Sequence, residues 1–321
     1  MFVLAAVAAS LVASAPSAHA VKRQVRVIAI HYRAHDGVRR RAYVLLPSWY
    51  GPKNDPTIPL VISPHGRGVS ARANTKLWRG LPALGPFAVI SPQGEGRKLG
   101  RYSWGSRGQI EDLARMPVIA HRTLPWLHVD QHRIYAFGGS MGGQEALLLL
   151  ARHPRLLAGV AAFDSVTNMA LQYRSFPRIP CSRKCVRIWG GPMGKGLREL
   201  ARQEVGGTPR SRPLAYAQRS PVTYARAIAA SCVPLELWWS VKDRIVVNQR
   251  YQTGALYERI VKLRPDAPVT AYVGSWRHSA EMHAESRLPA ALEALRLLPG
   301  RPQTPGVRVY SPGDTLNGRP C

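Results

Sequence analysis

The chain reads Arg133-Ile134-Tyr135-Ala136-Phe137-Gly138-Gly139-Ser140-Met141-Gly142-Gly143 near its middle, and a helix-period stretch follows as far as residue 152. An apolar run thus leads into a serine with glycines on both sides. Residues 138–142 match the pattern G-x-S-x-G, in which a sharp strand-to-helix turn exposes the serine hydroxyl. The flanking glycines let strand and helix approach without a Cβ clash. The stretch predicts a nucleophile at Ser140; the alternative is a glycine-rich turn with a capping serine.

Short apolar runs without alternation recur along the chain, as is typical of strands buried on both faces. Besides the run before Ser140, they cover residues 60–63, 87–91, 157–163, 235–239 and 269–273. Stretches with helical periodicity lie between them, at residues 110–127, 249–263 and 280–298. Alternating strands and helices predict an α/β fold built on a mostly parallel, doubly wound sheet.

The beginning of the predicted domain has a different pattern. Residues 24–34 alternate between apolar and polar, and Asp36-Gly37 supplies a turn before a second strand at residues 41–46. We expect an antiparallel hairpin at the edge of the sheet. Residues 166–231 also interrupt the alternation of strands and helices, because they are rich in Arg, Gly, Pro and Ser and have weak periodicity. We interpret them as a cap insertion in a single domain of residues 21–321.

The N-terminus resembles a secretory signal peptide. Residues 2–12 are apolar, and Ala18-His19-Ala20 has the small-x-small form of a cleavage site. We expect residues 1–20 to be removed and the protein to be secreted, either free, in a periplasm or associated with a cell wall. We expect no transmembrane segment, because no other segment is long and apolar enough to cross a bilayer.

Four cysteines fit an oxidising compartment, and three pairings of them are possible. In the expected fold, Cys232 precedes a strand and Cys321 follows the last helix, which places both at the bottom of the sheet. We therefore expect the disulfides Cys232–Cys321 and Cys181–Cys185. No histidine lies near the second pair, so we predict no metal site there.

The base and acid that would serve Ser140 should follow it in the order acid, then histidine. Asp243 and His278 each end a predicted core strand, where the active residues of parallel sheets lie. His278 would take the serine proton, and Asp243 would hold its imidazole. The alternatives are His283 as the base and Asp164, which also ends a strand, as the acid.

A tetrahedral oxyanion needs two preorganised N–H donors. We expect one at the backbone of Met141 and the other at Arg67, in the loop His65-Gly66-Arg67-Gly68, with Gly66 as the alternative. His65 itself we interpret as a loop-organising residue. Trp104 and Trp276 lie in predicted loops above the sheet and are candidates for binding substrate.

The motifs His-Gly-x-Gly, Gly-Gly-Ser-Met-Gly-Gly, Ser-Val-Lys-Asp and Trp-Arg-His occur in this order, at residues 65–68, 138–143, 240–243 and 276–278. In these motifs residues 25–298 resemble the α/β-hydrolase superfamily, and especially its secreted-esterase and prolyl-oligopeptidase-like branch. The resemblance implies the same triad and the same oxyanion donors. Two features depart from prolyl oligopeptidases: there is no β-propeller before the domain, and the predicted cap is basic.

Both departures favour ester hydrolysis, so we expect a secreted serine hydrolase that cleaves carboxylic esters through an acyl-enzyme on Ser140, without a metal or other cofactor. The ester would be a small molecule or borne by a polymer. The first alternative is a serine exopeptidase of prolyl-oligopeptidase-like type. The second, of another class, is a non-catalytic protein that binds polyanions or cell wall on a hydrolase scaffold.

The net charge of +27 with a pI near 11.0 bears on the possible partners. An excess of this size raises the possibility of anionic partners. The basic residues are mostly arginine and are spread along the whole chain, without a zinc-finger, helix-turn-helix or RNP-like pattern. We therefore expect no specific nucleic-acid binding. Loose attachment to an anionic surface remains a side expectation.

Overall fold

The computed structural model describes residues 25–94, 104–180 and 193–311, and in them nine strands form one sheet in the order β1-β2-β4-β3-β5-β6-β7-β8-β9. The strands are β1 Val25–Arg33, β2 Arg39–Pro47, β3 Ile58–Ile62, β4 Ala88–Pro92, β5 Val129–Gly139, β6 Gly159–Phe163, β7 Leu235–Ser240, β8 Val269–Gly274 and β9 Arg308–Tyr310. Strands β3 to β8 run parallel, which confirms the predicted mostly parallel sheet.

Helices connect these strands on both sides of the sheet. They are α1 Ala71–Asn74, α2 Leu81–Leu84, α3 Arg107–Ala114, α4 Met116–Thr123, α5 Met141–Arg152, α6 Met169–Ser175, α7 Met193–Val205, α8 Pro213–Gln218, α9 Ala225–Ala230, α10 Thr253–Leu263 and α11 Leu288–Ala294. Because parallel strands need crossover connections, the carboxyl ends of β3 to β8 all lie at the same end of the sheet.

At both edges of the sheet, the outermost strand pairs antiparallel with its neighbour. The predicted hairpin is present, since β1 pairs with β2, and β2 in turn pairs antiparallel with β4. At the opposite edge, β9 pairs antiparallel with β8. Strand β9 was not predicted from the sequence, because it is three residues long and its side chains are exposed on both faces.

The strands are buried on both faces, which explains why the apolar runs do not alternate. In β7, Leu237 belongs to the apolar cluster on one face, and Trp238 belongs to the cluster on the other. Trp238 stacks on Tyr272 of β8 with ring centroids 3.8 Å apart. Burial of such aromatic pairs contributes strongly to the stability of a core.

Two predicted helices are shorter than the sequence suggested. The stretch 110–127 forms α3 and α4, and the break falls just before Pro117, in the first turn of α4. Residues 280–298 contain only α11 as a regular helix, with Pro289 in its first turn. Proline has no N–H to donate to the preceding turn, so each helix begins afresh at its proline.

The described parts of the segment 166–231 are helical. Side chains of α6 and α7, with Val166, Trp104, Met141 and Val246, form a third apolar cluster, separate from the two that cover the sheet. Met141 follows Ser140 directly, so this cluster lies above the carboxyl ends of the strands. The sequence shows little helical periodicity in this segment because α6, α8 and α9 have seven residues or fewer.

Several predictions concern residues outside the described ranges. The signal peptide of residues 1–20 and three of the four cysteines, Cys181, Cys185 and Cys321, lie there. The signal peptide and both disulfide pairings therefore stay predictions. Within residues 25–94, 104–180 and 193–311, no helix has the length and hydrophobicity needed to cross a membrane.

Candidate active site

Ser140 lies on a sharp turn between β5 and α5. Its backbone has φ 59° and ψ −123°, a conformation that a residue with a side chain rarely adopts. The Ser140 N–H donates a 2.8 Å hydrogen bond to the carbonyl of Phe163 on the neighbouring strand β6. The strained turn is thereby fixed to the sheet, as expected for a nucleophile elbow.

Two glycines make this turn possible. A Cβ on Gly138 would lie 2.3 Å from the carbonyl of Gly142, and a Cβ on Gly142 would lie 2.4 Å from the carbonyl oxygen of Pro64. These neighbours are backbone atoms, which cannot turn aside as the end of a side chain can. The strand, the helix and the loop after β3 therefore meet too closely for any other residue at either position.

We expect Gly142→Ala to destabilise the protein by about 1–3 kcal/mol, the usual cost of forcing an extra methyl group into a packed interior. Chemical denaturation of both proteins measures the difference. Gly196→Ala is the matched control, because no atom lies within 4 Å of a Cβ built on this glycine in α7. The control should be neutral or stabilising by up to about 1 kcal/mol. Equal stabilities of Gly142→Ala and wild type would contradict the close packing.

His278 follows β8 and is bonded to Asp243, which follows β7. The distance from His278 Nδ1 to Asp243 Oδ2 is 2.8 Å. The Asp243 carboxylate also accepts hydrogen bonds from the backbone N–H groups of Ile245 and Val246, at 2.8 and 3.0 Å, and from Gln249 Nε2 at 3.1 Å. Because the Asp243 carboxylate accepts the hydrogen bonds from all these other partners, we assign the proton of the His278–Asp243 hydrogen bond to Nδ1 of His278. Nε2 of His278 is then unprotonated and can act as a base.

The pKa of His278 reflects two opposing effects. Burial lowers it, but the hydrogen bond that His278 donates to Asp243 and the negative charges of Asp243 and Asp164 raise it more, and the net pKa lies above the ordinary 6.5. The imidazolium is therefore stabilised by its surroundings. This is what a base needs if it is to accept a proton during a reaction.

Asp164, the alternative acid, lies at the end of β6 and has another set of partners. It accepts hydrogen bonds from the backbone N–H groups of Ser240 and Ser279, at 2.8 and 2.7 Å, and from Trp276 Nε1 at 2.8 Å. Burial, followed by the charge of Asp243, raises the pKa of Asp164 to about 6. Asp243 thus holds the imidazole, whereas Asp164 holds the loop on both sides of His278.

Within residues 25–94, 104–180 and 193–311, these two carboxylates and His278 form the one cluster of potential ligands with spacing suited to a metal ion. Ligand atoms of Asp164, Asp243 and His278 lie within 4.8 Å of one another. However, the carboxylate oxygens already accept N–H groups, as described above. A cation would have to compete with those hydrogen bonds, so the donor set fits a metal poorly.

The loop after β3 packs directly against Ser140. His65 is buried, donates from Nδ1 to the carbonyl of Gly66 at 3.0 Å, and accepts the N–H of Gly94 on Nε2 at 3.1 Å. Burial lowers the pKa of His65, in line with a neutral, loop-organising residue. A Cβ on Gly66 would lie 3.9 Å from the Cβ of Ser140. Gly66 therefore lies next to the turn that carries Ser140, and the adjacent Arg67 stays, with Met141, a predicted oxyanion donor.

The Arg67 side chain ties this loop to α7. Its Nη1 lies 2.9 Å from Oε1 and 3.2 Å from Oε2 of Glu204, and both side chains are less than a tenth exposed. The guanidinium carbon also lies 5.0 Å from the ring centroid of Trp104. Glu204 was missed by the sequence analysis, because nothing in a helical pattern marks which glutamate faces an arginine 137 positions away.

Ser140 and His278 line one cavity of about 120 Å³. Its other described lining residues are Arg67, Trp104, Val166, Gln172, Phe176, Leu197, Ile245 and Val246. Most of these are apolar, and four of them come from the segment 166–231. Trp104 packs its ring 5.4 Å from that of Phe176, so this predicted substrate residue lies in the wall beside Ser140.

Comparison with known proteins supports the architecture. No protein-family model and no curated protein matches the sequence. Among solved structures, an acylaminoacyl peptidase of Pyrococcus horikoshii has a TM-score of 0.59 at 14% identity, over 84% of this chain and 41% of that one. Dipeptidyl peptidase 4 of Porphyromonas gingivalis has a TM-score of 0.59 at 16% identity, over 84% of this chain and 35% of that one.

A third structure is similar over nearly its whole length. It is a ferulic acid esterase, with a TM-score of 0.57 at 15% identity, over 85% of this chain and 97% of that one. The chain therefore spans less than half of each peptidase but matches almost all of the esterase. The chain has the α/β-hydrolase fold.

In this α/β-hydrolase fold, Trp276 and His283 lie away from Ser140. Trp276 is buried, its indole N–H donates to Asp164, and it lines a second cavity, of which Ser140 is not among the described lining residues. His283, the alternative base, has a side chain that is 44% exposed, with Nδ1 4.0 Å from Glu285. The structure brings His278, and not His283, to the cavity that contains Ser140.

Proposed function

We propose that this protein is a serine hydrolase that cleaves carboxylic esters through an acyl-enzyme on Ser140. One observation carries the proposal: a strained serine on a nucleophile elbow shares a cavity with a histidine whose Nδ1 is held by a buried aspartate. In this arrangement the histidine can take the serine proton, and the serine can attack a carbonyl carbon.

The proposed reaction has two steps. Ser140 Oγ attacks the ester carbonyl while His278 Nε2 accepts its proton, and the backbone N–H groups of Met141 and Arg67 stabilise the oxyanion. His278 then gives the proton to the departing alcohol. In the second step, water gives a proton to His278 Nε2 and attacks the acyl carbonyl. The bond between the acyl carbon and Ser140 Oγ then breaks, His278 returns the proton to Oγ, and the carboxylic acid leaves. Asp243 stays ionised throughout and stabilises the imidazolium.

The lining of the cavity favours an ester with an uncharged acyl group. Arg67 is the one described lining residue, besides His278, with a charged side chain, and its charge is paired with Glu204. The remaining described walls offer mainly apolar surface. A binding site for the charged terminus of a peptide would need an opposite charge that is free to pair with it. The full-length similarity to an esterase points the same way.

The other sequence-based expectations accompany this proposal. We propose that the chain is secreted after cleavage behind Ala20, that Cys181–Cys185 and Cys232–Cys321 form disulfides, and that the segment 166–231 acts as a cap. The proposed chemistry uses side-chain and backbone groups of the chain itself, so we propose no cofactor.

A fluorophosphonate probe tests the nucleophile. We expect the folded protein to be labelled with close to one probe per chain, and heat-denatured protein to remain unlabelled, because attack on the probe requires the assembled site. Mass mapping of the labelled peptide should place the probe on Ser140. Labelling that is absent from folded, disulfide-intact protein would overturn the enzyme proposal in favour of a binding protein on a hydrolase scaffold.

Matched esters and amides then test the substrate class. For each acyl group, we compare an aryl ester with the corresponding N-blocked and free-amino peptide amide. We expect kcat/KM for each ester to exceed that for the matching amide by a larger factor than the ratio of their intrinsic reactivities. Faster cleavage of a free-amino or acylaminoacyl peptide would instead support the exopeptidase alternative, which the similarity to the two peptidases suggests.

A further inference from the structure

A second, larger cavity adjoins the Ser140 cavity at His278 and Ile245. It is an open groove of about 950 Å³, and Ser140 is not among its described lining residues. Its walls are formed by the loops after β7 and β8, residues 241–245 and 275–278. His278 and Ile245 line both cavities and therefore separate them.

This groove is basic. Lys242, Arg244 and Arg277 line it with exposed side chains, and none of the three forms an ion pair with a carboxylate in the described ranges. The single acidic lining residue, Asp243, is buried, and its oxygens accept the hydrogen bonds that hold His278. The groove therefore presents three positive charges that form no ion pair with any described carboxylate.

The proposed reaction determines which part of a substrate would lie there. His278 gives its proton to the departing alcohol, so the alcohol must lie beside the imidazole. The small apolar cavity around Ser140 holds Trp104 and Phe176, which suit an acyl group. The larger groove shares His278 and Ile245 with this cavity, so the alcohol can extend into it from the imidazole.

We propose that the groove formed by residues 241–245 and 275–278 binds an anionic group on the alcohol side of the ester. This inference rests on the proposed function. The exposed cations would attract a carboxylate, sulfate or phosphate of the alcohol, and Trp276 and Ile245 would contact its apolar part. The preferred substrates are thus esters whose leaving group is acidic, either as a small molecule or as part of an anionic polymer.

Two butyrate esters test this assignment, one of 4-nitrophenol and one of a nitrophenol that carries a carboxylate. The measured quantity is the ratio of kcat/KM for the anionic ester to kcat/KM for the neutral ester. In a variant with Lys242→Gln, Arg244→Gln and Arg277→Gln, we expect this ratio to fall about tenfold, because each exposed pair contributes modestly. The change should appear mainly in KM for the anionic ester.

A second triple variant controls for the loss of overall charge. Arg41, Arg72 and Lys76 line another surface groove, between the β1–β2 hairpin and the α1 region. Changing these three residues to glutamine removes the same charge at a distance from His278. We expect this control to leave the ratio unchanged. The neutral ester, measured on every variant, reports whether the catalytic residues are intact.

The outcomes separate the two proposals. Hydrolysis of the esters with the same ratio in both triple variants and wild type would overturn the anionic groove and leave the proposed function standing. Wild-type protein that hydrolyses neither ester would overturn the proposed function itself. If the groove variant fails to fold, wild-type protein still decides, because the ratio must fall as salt screens the exposed cations, and a ratio independent of salt would overturn the assignment.

Discussion

Ser140→Ala is expected to lower kcat for ester hydrolysis by about 10⁴–10⁶-fold, the range found when the nucleophile of a serine triad is removed. Without the hydroxyl no acyl-enzyme forms, and only the oxyanion donors and binding contribute. Steady-state kinetics on an activated ester measures the loss. The fold should persist, because Ser140 holds the turn through its backbone N–H and not through its side chain.

A surface serine gives the matched control for this variant. Ser286 is exposed and bonds only to Glu281 through its hydroxyl. Ser286→Ala should therefore keep the wild-type kcat. If Ser140→Ala retained more than a hundredth of the wild-type kcat, another group would have to be the nucleophile, and the proposed mechanism would be wrong.

Asp243→Asn is expected to lower kcat by about 10⁴-fold, because an amide cannot hold the imidazole in the required tautomer. In the wild type, Asp243 accepts the Nδ1 proton of His278 and three further N–H groups. An asparagine must turn its NH₂ toward some of these donors. The imidazole then loses both its orientation and the negative charge that stabilises its cation.

Asp164→Asn distinguishes the two carboxylates. His278 must be neutral to accept the serine proton, so wild-type kcat/KM should fall as the pH drops through its pKa, which lies above 6.5. Asp164 helps to raise that pKa. Its replacement should lower the pKa of His278, so activity should persist to a lower pH than in the wild type, with a loss of kcat far smaller than that of Asp243→Asn. A larger loss of kcat in Asp164→Asn would identify Asp164 as the acid.

The sequence contained enough information to predict the sheet and the positions of the reactive residues. A parallel strand that is buried on both faces appears in the sequence as a short apolar run. The carboxyl ends of such strands lie together at one end of the sheet. Ser140, Asp243 and His278 each follow such a run. Their meeting at one edge of the sheet was therefore predictable without knowing any side-chain contact.

What the sequence did not reveal depends on contacts between distant residues. Asp164 and Asp243 both end strands, and only the structure shows that the imidazole bonds to Asp243. The partnership of Arg67 with Glu204 has no local signature either. The helix predicted over residues 280–298 is longer than the observed α11. The turns on both sides of α11 are also packed against the core and continue its apolar pattern.

The contact between Arg67 and Glu204 also bears on protein engineering. Exchange of the segment 166–231 for that of another protein with this fold is an obvious way to alter the proposed substrate specificity. A graft without an acid in the place of Glu204 would leave the Arg67 guanidinium without its carboxylate in a buried position, at a cost of several kcal/mol. The residue that we propose as an oxyanion donor would then lose its anchor. Arg67 and Glu204 should therefore be transferred together, because a graft that carries only one of them breaks their ion pair.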